Sequence, residues 1–464
     1  MFSKVLIANR GEIAVRVIRA CHELGVQTVV AHSDADRDSL AVQLADEAMC
    51  IGPAASDKSY LNIPNIVSAA LVTGCDAVHP GYGFLSENAY LAEVVEQVGL
   101  TFIGPSPRVI ELLGDKVTAR KVMRAAGVPT VPGSDEPLHR VEDALDIARE
   151  IGYPVMVKAV AGGGGRGIRA AHDERELARV FPVAQMEAQS FFANGALYIE
   201  RLIQDARHVE IQLLADNHGH AISLGERDCT LQRRRQKILE EAPSPVLNED
   251  QRRWIGDAAA RGAQEVGYRN AGTMEFLLDR DGNFFFMEVN CRIQVEHGVT
   301  ELVTGIDLVK EQLRIAAGGV LELTQDDVRV QGHAIECRVT TEDPLRAFAP
   351  DSGVVTQFIP PGGPGVRVDS HCYAGYFQPP YYDSLLAKVM TWGRDRTEAL
   401  DRMERALHEM RIDGVRTSIP YHLSLLADPR VRAGDVTIDF VGDHLAQWTA
   451  DQSRGTRGTL AGVS

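Results

Sequence analysis

Glu275 and Glu288 stand in two apolar runs separated by Asp281-Gly282, a dipeptide that favours a tight hairpin turn. If those two residues form the turn, residue 280 faces 283, 278 faces 285, and Glu275 lies directly opposite Glu288. Carboxylates about 5 Å apart on one sheet face repel unless something neutralises them. A divalent cation does so, and Asn290, which shares the parity of Glu288, adds a third hard oxygen of the kind Mg²⁺ takes when it bridges nucleotide phosphates. The competing reading is an exposed acidic strand face, and a longer hairpin loop would break this register. Arg292, Gln294 and Glu296 continue the alternation, so a cation, an amide and a carboxylate line either one wall of a small site or an exposed strand end; in the first case Glu296 is a base and Arg292 holds an anion. Lys158 closes a short apolar run and is followed by Gly162 to Gly165, Arg166 and Gly167. A strand-end cation before a loop without side chains suits a phosphate-covering loop, although a glycine run by itself is commonly a flexible turn. Arg227, Arg233, Arg234, Arg235 and Lys237 form a basic island that reads either as a solvated face or as a wall for phosphates or a small oxyanion. His208 alone reads as a core or edge histidine.

These groups need a scaffold of several domains. The chain has 464 residues, enough for about three domains at a rough 150 residues each. Val5 to Ala8 is a strand, Ile13, Val17, Ala20, Cys21 and Leu24 fall on one helical face, and Thr28 to Ala31 is the next strand. That alternation recurs to Ile103, predicting a doubly wound parallel α/β domain over residues 1–113. A helix from Val109 to Ala126 follows. Residues 114–330 read as an α+β domain on an antiparallel sheet, a third domain covers 331–447, and 448–464 reads as a loose tail. The formal charge of −16 repels polyanions, which argues against nucleic acid or an anionic membrane surface as partner. The seven cysteines are scattered without a C-x-x-C pair and read as thiols of a reducing cytoplasm. No apolar run approaches the ~18 residues of a membrane span.

The runs Ile7-Ala-Asn-Arg-Gly-Glu-Ile-Ala14, His79-Pro-Gly-Tyr-Gly-Phe-Leu-Ser-Glu-Asn88, Lys158 with Gly162 to Gly167, Gln232-Arg-Arg, Glu288-Val-Asn-Cys-Arg-Ile-Gln-Val-Glu-His297 and Pro380-Tyr-Tyr-Asp-Ser384 resemble biotin carboxylase over nearly the whole chain. The resemblance implies an ATP-grasp fold with a mobile lid over about 131–203. It implies that ATP phosphorylates bicarbonate to carboxyphosphate, and that N1′ of biotin is then carboxylated. It places ATP against Lys116, Lys158, the lid glycines Gly163, Gly164 and Gly165, Glu200, Arg201, Ile203, His208, Gln232, Glu275 and Glu288. Glu275, Glu288 and Asn290 would hold Mg²⁺ or Mn²⁺, two ions in all; Lys237, Arg292, Gln294 and the Val295 backbone would hold bicarbonate. Glu296 would take its proton, and Arg338, with Tyr82, would meet biotin.

No Ala-Met-Lys-Met tetrapeptide is present, so the resemblance implies biotin on a separate carrier protein, with a biotin carboxyl carrier protein and carboxyltransferase subunits as partners and a homodimer as assembly. Arg19 and Glu23, one turn apart, are expected to pair within their helix or across a two-fold axis. Arg235, Cys291 and Gly298 depart from the family pattern, where His, Thr and Pro are usual. Arg235 adds charge near the nucleotide and Gly298 is expected to loosen the backbone after Glu296. Two rival readings remain: another ATP-grasp ligase that activates a carboxylate, and a non-catalytic nucleotide-binding subunit. The final carboxyl acceptor is not legible in the sequence.

Overall fold

A computed structural model describes residues 1–160 and 168–460, with side chains described as far as residue 452. The expected glycine loop, with Gly163, Gly164 and Gly165, lies outside the described residues. The N-terminal segment comprises β1 (Lys4–Ile7), α1 (Gly11–Glu23), β2 (Gln27–Ser33), α2 (Leu40–Leu44), β3 (Glu47–Gly52), α3 (Ile63–Val72), β4 (Ala77–His79), α4 (Ala89–Gln97) and β5 (Thr101–Phe102). Its parallel sheet has the order β3-β2-β1-β4-β5, the doubly wound arrangement expected from the alternating pattern.

The single helix expected from Val109 to Ala126 is two, α5 (Pro107–Gly114) and α6 (Lys116–Ala125). Asp115 breaks it: its backbone is extended, and its carboxylate accepts the Thr118 N–H at 2.7 Å as an N-cap. Lys116 thereby opens a new helix.

Next come α7 (Val141–Ile151), β6 (Val155–Ala159), β7 (Ile168–Ala171), α8 (Glu174–Phe192) and β8 (Leu197–Arg201). Their three strands form a separate sheet, β7-β6-β8, whose core of Val155, Val157, Leu177, Phe181, Leu197 and Ile199 is distinct from the others.

Most of the candidate site residues stand on a larger sheet. It is built from β9 (Arg207–Ala215), β10 (Ala221–Arg233), β11 (Gln236–Ala242), β12 (Asn270–Leu278) and β13 (Phe284–Asn290), with α9 (Glu249–Glu265), α10 (His297–Thr304) and α11 (Leu308–Ala316) packed around it. β14 (His333–Thr340) pairs directly with β11, so the sheet runs on into the C-terminal segment. That segment adds β15 (Glu342–Asp343), β16 (Ala349–Pro350), β17 (Gly353–Val354), β18 (Gln357–Ile359), β19 (Val366–Ser370), β20 (Phe377–Gln378), β21 (Leu385–Gly393), α12 (Arg396–Glu409), β22 (Arg411–Asp413), α13 (Ile419–Ala427), α14 (Pro429–Ala433) and α15 (Phe440–Leu460). The eight-stranded order is β13-β12-β9-β10-β11-β14-β21-β19. The segment after Trp448, expected as a loose tail, continues the helix to Leu460.

The β12–β13 hairpin places Glu275 opposite Glu288 as expected, but by another route. Asp279 pairs with Asn283 and accepts the N–H groups of Asp281 and Asn283, so the loop has three residues and closes on left-handed Gly282. That loop alone would set Met287 opposite Glu275. A bulge between the pairs Phe276–Phe286 and Glu275–Glu288 leaves Met287 as an extra residue and restores the acid pair. Phe286 consequently faces the core while Glu288, two residues on, faces the cleft.

Candidate active site

The acid pair is a row of three. β12 also pairs with β9, so Glu210, Glu275 and Glu288 lie side by side across three strands. Glu210 was missed in the sequence, although His208, Glu210 and Gln212 alternate through an otherwise apolar strand, and that period-two polarity was the available signal. Cations answer each member. Lys237 on β11 contacts Glu210, lies 3.0 Å from Glu275 Oε1 and donates to Glu296 Oε1 at 2.7 Å. Lys116 reaches Glu288 Oε2 at 2.9 Å from the start of α6. Burial alone would lower the Lys237 ammonium, but Glu210, Glu275 and Glu296 raise it well above the ordinary lysine value.

Arg227 separates from the rest of the basic island. It is fully buried at the end of the row, on β10 opposite Glu210, and donates to Glu210, Gln212, Thr300 and Thr273, so it holds the sheet to α10 and is neither a solvated face nor a phosphate wall. Arg233, Arg234 and Arg235 instead line the cleft at the β10–β11 turn. Arg233 and Gln236 face each other there, leaving Arg234 and Arg235 as a two-residue turn with φ of 49° and 67°. Adjacent left-handed arginines are costly where Asn-Gly is the easy choice, and such strain gathers at functional sites.

Arg292 and Gln294 line the cavity as expected, but β13 ends at Asn290, so a turn and not continued strand alternation brings them there, and Glu296 lies behind the wall instead of in it. Arg292 donates to Asn290 Oδ1 at 2.9 Å and Gln294 Oε1 at 2.8 Å, and Glu87 braces its far side at 3.0 Å. Gln294 and Asn290 both donate to Glu275 Oε1, at 3.1 and 2.9 Å. Glu296 immediately precedes α10, makes no capping side-chain bond and is completely buried, so it sits behind the cavity wall, with Lys237 on one oxygen and Arg338 on the other at 2.9 Å. Burial pushes its carboxyl up, yet Lys237, Arg338 and Arg227 together hold it well below the usual carboxylate range. It is therefore ionised at neutral pH, as a base must be. Arg338, on β14, also contacts Glu240 at 2.5 Å, and burial raises Glu240 to about 7 against the pull of that guanidinium.

One cavity of about 1430 Å³ takes in Tyr82, Lys116, Lys158, Ile203, His208, Gln232, Lys237, Glu275, Glu288, Asn290, Arg292, Gln294, Val295 and Arg338. One expected nucleotide contact sits differently: Glu200 is buried behind Lys158, in an ion pair with it and 3.4 Å from Arg120. Arg201, expected to offer its backbone, turns its side chain onto the Phe285 ring at 5.5 Å, outside this cavity. His208 Nδ1 accepts from the Gln232 amide Nε2 at 2.8 Å, and His208 Nε2 lies 3.4 Å from Glu275. Leu202, Leu277, Met287 and Ile438 supply apolar wall, of which the sequence patterns single out none.

Family models match the chain in three blocks: the biotin carboxylase N-terminal domain over residues 1–110, the ATP-binding domain of the carbamoyl-phosphate synthase L chain over 115–324, and the biotin carboxylase C-terminal domain over 336–443. Biotin carboxylase from Nostoc sp. is 56% identical over 440 residues, covering 95% of this chain and 98% of that protein. Biotin carboxylase 1 from Bacillus subtilis is 56% identical over 442 residues, with the same coverage. The chain belongs to the biotin carboxylase family. It is an ATP-grasp enzyme, an ATP-dependent biotin carboxylase. Solved structures agree: the biotin carboxylase domain dimer of Hydrogenobacter thermophilus 2-oxoglutarate carboxylase, holding MgADP, ADP and bicarbonate, superposes with a TM-score of 0.91 at 50% identity, covering 96% of this chain and 98% of that one. The Campylobacter jejuni biotin carboxylase bound to a β,γ-ATP ligand gives 0.93 at 44% identity, covering 96% and 99%.

Within this biotin carboxylase, the donor set fits a hard divalent cation. Glu275 and Glu288 face each other on adjacent strands, Asn290 touches Glu275, and Lys116 and Lys237 now supply the positive charge that a cation would share. Gly298 is not a loosened link. Its φ is ordinary for an L-residue, and a β-carbon there would lie 2.2 Å from the sulfur of Met390, a wholly buried residue on β21, so glycine serves close packing. Cys291 is buried in the core, and its N–H donates to Glu87 at 2.8 Å. Glu23 pairs with Lys310 of α11 at 2.5 Å, which answers the acid expected to meet Arg19.

Proposed function

We propose that Glu296, Lys237, Arg292 and Arg338 carry the two steps of biotin carboxylation in this chain, and the observation that bears most weight is the contact of Glu296 with both Lys237 and Arg338 beside the acid row. ATP lies along Lys116, Lys158, His208 and Gln232 with Glu200 and the 201–203 backbone behind them. Glu275, Glu288 and Asn290 hold Mg²⁺, which supplies charge neutralisation for the transferring phosphoryl group. Lys237, Arg292, Gln294 and the Val295 backbone hold bicarbonate. Glu296 accepts the bicarbonate proton as the oxygen attacks the γ-phosphorus, and ADP leaves carboxyphosphate behind. Carboxyphosphate yields CO₂ and phosphate; the released phosphate takes the N1′ proton, and N1′ of biotin bonds to CO₂ while Arg338 stabilises the anion that develops on the ureido ring, with Tyr82 alongside.

Lys237 and Arg338 do more than bind. Each occupies one Glu296 oxygen, so an incoming bicarbonate exchanges for one of these contacts, and the depressed basicity of Glu296 rises as its cation is drawn onto substrate.

The carrier is a separate biotin carboxyl carrier protein, a carboxyltransferase completes the system, and the final acceptor is chosen there. A homodimer in the cytoplasm is the assembly we favour, on the dimeric Hydrogenobacter domain and on the absence, among described residues, of any helix long and apolar enough to cross a membrane. Because Met390 accounts for Gly298, that departure gives no support to a non-catalytic subunit. The test is ADP release with Mg·ATP, with and without bicarbonate and free biotin, together with carboxybiotin in the same reaction. ADP release that ignores both bicarbonate and biotin would overturn this reading.

A further inference from the structure

Lys388 has no part in the assignments above, yet it is wholly buried on β21, directly opposite Arg338 on β14. Its ammonium donates to the Val295 carbonyl at 2.8 Å and lies 3.2 Å from Glu12 Oε1 and 3.8 Å from Asp369 Oδ2. Each partner belongs to a different part of the chain. Glu12 stands on α1 of the N-terminal segment and also accepts the Tyr82 hydroxyl. Val295 lies in the link between β13 and α10, and Asp369 lies on β19, held by both Nε and Nη2 of Arg367 at 3.0 and 2.6 Å. The carbonyl that Lys388 grips belongs to the peptide joining Val295 to Glu296, so one hydrogen bond fixes the backbone expected at bicarbonate and the backbone that carries the base.

A buried cation is an expensive way to hold domains together, since apolar residues of similar volume commonly do it at least as well. Its retention asks for another reason, and the grip on the Val295–Glu296 peptide supplies one. We propose that Lys388 is a positioning residue for bicarbonate, braced by Glu12 so that the bicarbonate wall is in place only when all three segments of the chain are docked. This rests on the carboxylase reading above, and deepens it.

The test uses the full chain and reads the KM for bicarbonate and the KM for ATP separately in bicarbonate-dependent ATP cleavage. Lys388→Met should raise the bicarbonate KM by about 10- to 100-fold, the scale on which small misplacements act, with the ATP KM within about twofold. Because that change leaves Glu12 buried without its cation, the double variant Glu12→Gln/Lys388→Met is made beside it. It should melt close to the unmodified protein and keep the raised bicarbonate KM. A double variant with an unmodified bicarbonate KM would overturn the proposal, as would equal losses for ATP and bicarbonate. Should the double variant fail to fold, the proposal falls too, because the ammonium would then be serving the fold itself. Absence of bicarbonate-dependent cleavage in the unmodified chain would instead sink the carboxylase reading before any variant is made.

Discussion

Two ionic regions of the same sheet use the same residue types to opposite ends. At the inner end of the acid row, Arg227 spends its donors on Glu210, Gln212, Thr273 and Thr300, all protein atoms closed off from the cleft. Lys237, Arg292 and Arg338 hold carboxylates too, but each also lines the cavity. The inner contacts have nothing to exchange with. The outer ones border open space, and on the reading proposed above bicarbonate and biotin would compete for them. An Arg–Glu pair therefore does not declare its role by composition or distance; what decides is whether a cavity lies on its open side.

The sharpest way to break this comparison is Arg227→Met. It leaves Glu210 buried with Lys237 as its remaining cation and takes the donor from Gln212 and Thr273, for which a loss of about 3 kcal/mol is expected, and thermal melts should show it with or without nucleotide. A melt near the parent's would erase the distinction between the two regions. Next is Glu296→Ala, which should lower bicarbonate-dependent ADP release by roughly 10² to 10⁴-fold, the usual cost of losing a general base, with a folded protein remaining. Arg338→Ala should leave ATP affinity nearly intact but yield less carboxybiotin per ADP; full coupling would remove its assigned role. The acid row itself splits. Glu275→Gln removes the buried charge that Lys237 answers and weakens the donations from Asn290 and Gln294, whereas Glu288→Gln removes a charge answered by the partly exposed Lys116. Both should impair Mg·ATP use, but without Mg·ATP the Glu288 variant should lose less than about 1 kcal/mol and melt above the Glu275 variant. The smallest effect is one of pH. Burial raises Glu240 to about 7, above the roughly 4.3 of an unfolded glutamate, so its share of stability is full below about 4.3 and is lost as pH rises through 7. Melts of Glu240→Gln should therefore fall less than the parent's between pH 5 and 7.5.

Much of the site was legible because strand parity converts spacing into direction. Glu288 and Asn290 could be placed together from their numbers, whereas Gln294 reaches them through a turn beyond the end of β13, and the doubly wound N-terminal sheet followed from its alternating runs. What could not be read depended on non-local pairing. Nothing near Glu210 announces that β9 lies beside β12, and nothing near Lys388 announces that its ammonium ends at Val295. The helix break at Asp115 is different: Asp before a Lys-Val-Thr run is a capping signal, outweighed in the sequence by the apolar periodicity on either side. Gly298 shows the same limit from the other direction, since glycine suggests looseness until the sulfur of Met390 is seen to fill its place.

The extra residue at Met287 divides its strand into two lengths that are out of phase with one another. Phe284 and Phe286 are timed to the core, and Glu288 and Asn290 are timed to the cleft, with Met287 as the half-step between them. Fold and chemistry can thus be tuned separately within seven consecutive residues. The aromatic half can be repacked without turning Glu288 away from the cleft, and the polar half can change its contacts without drawing a phenylalanine out of the core.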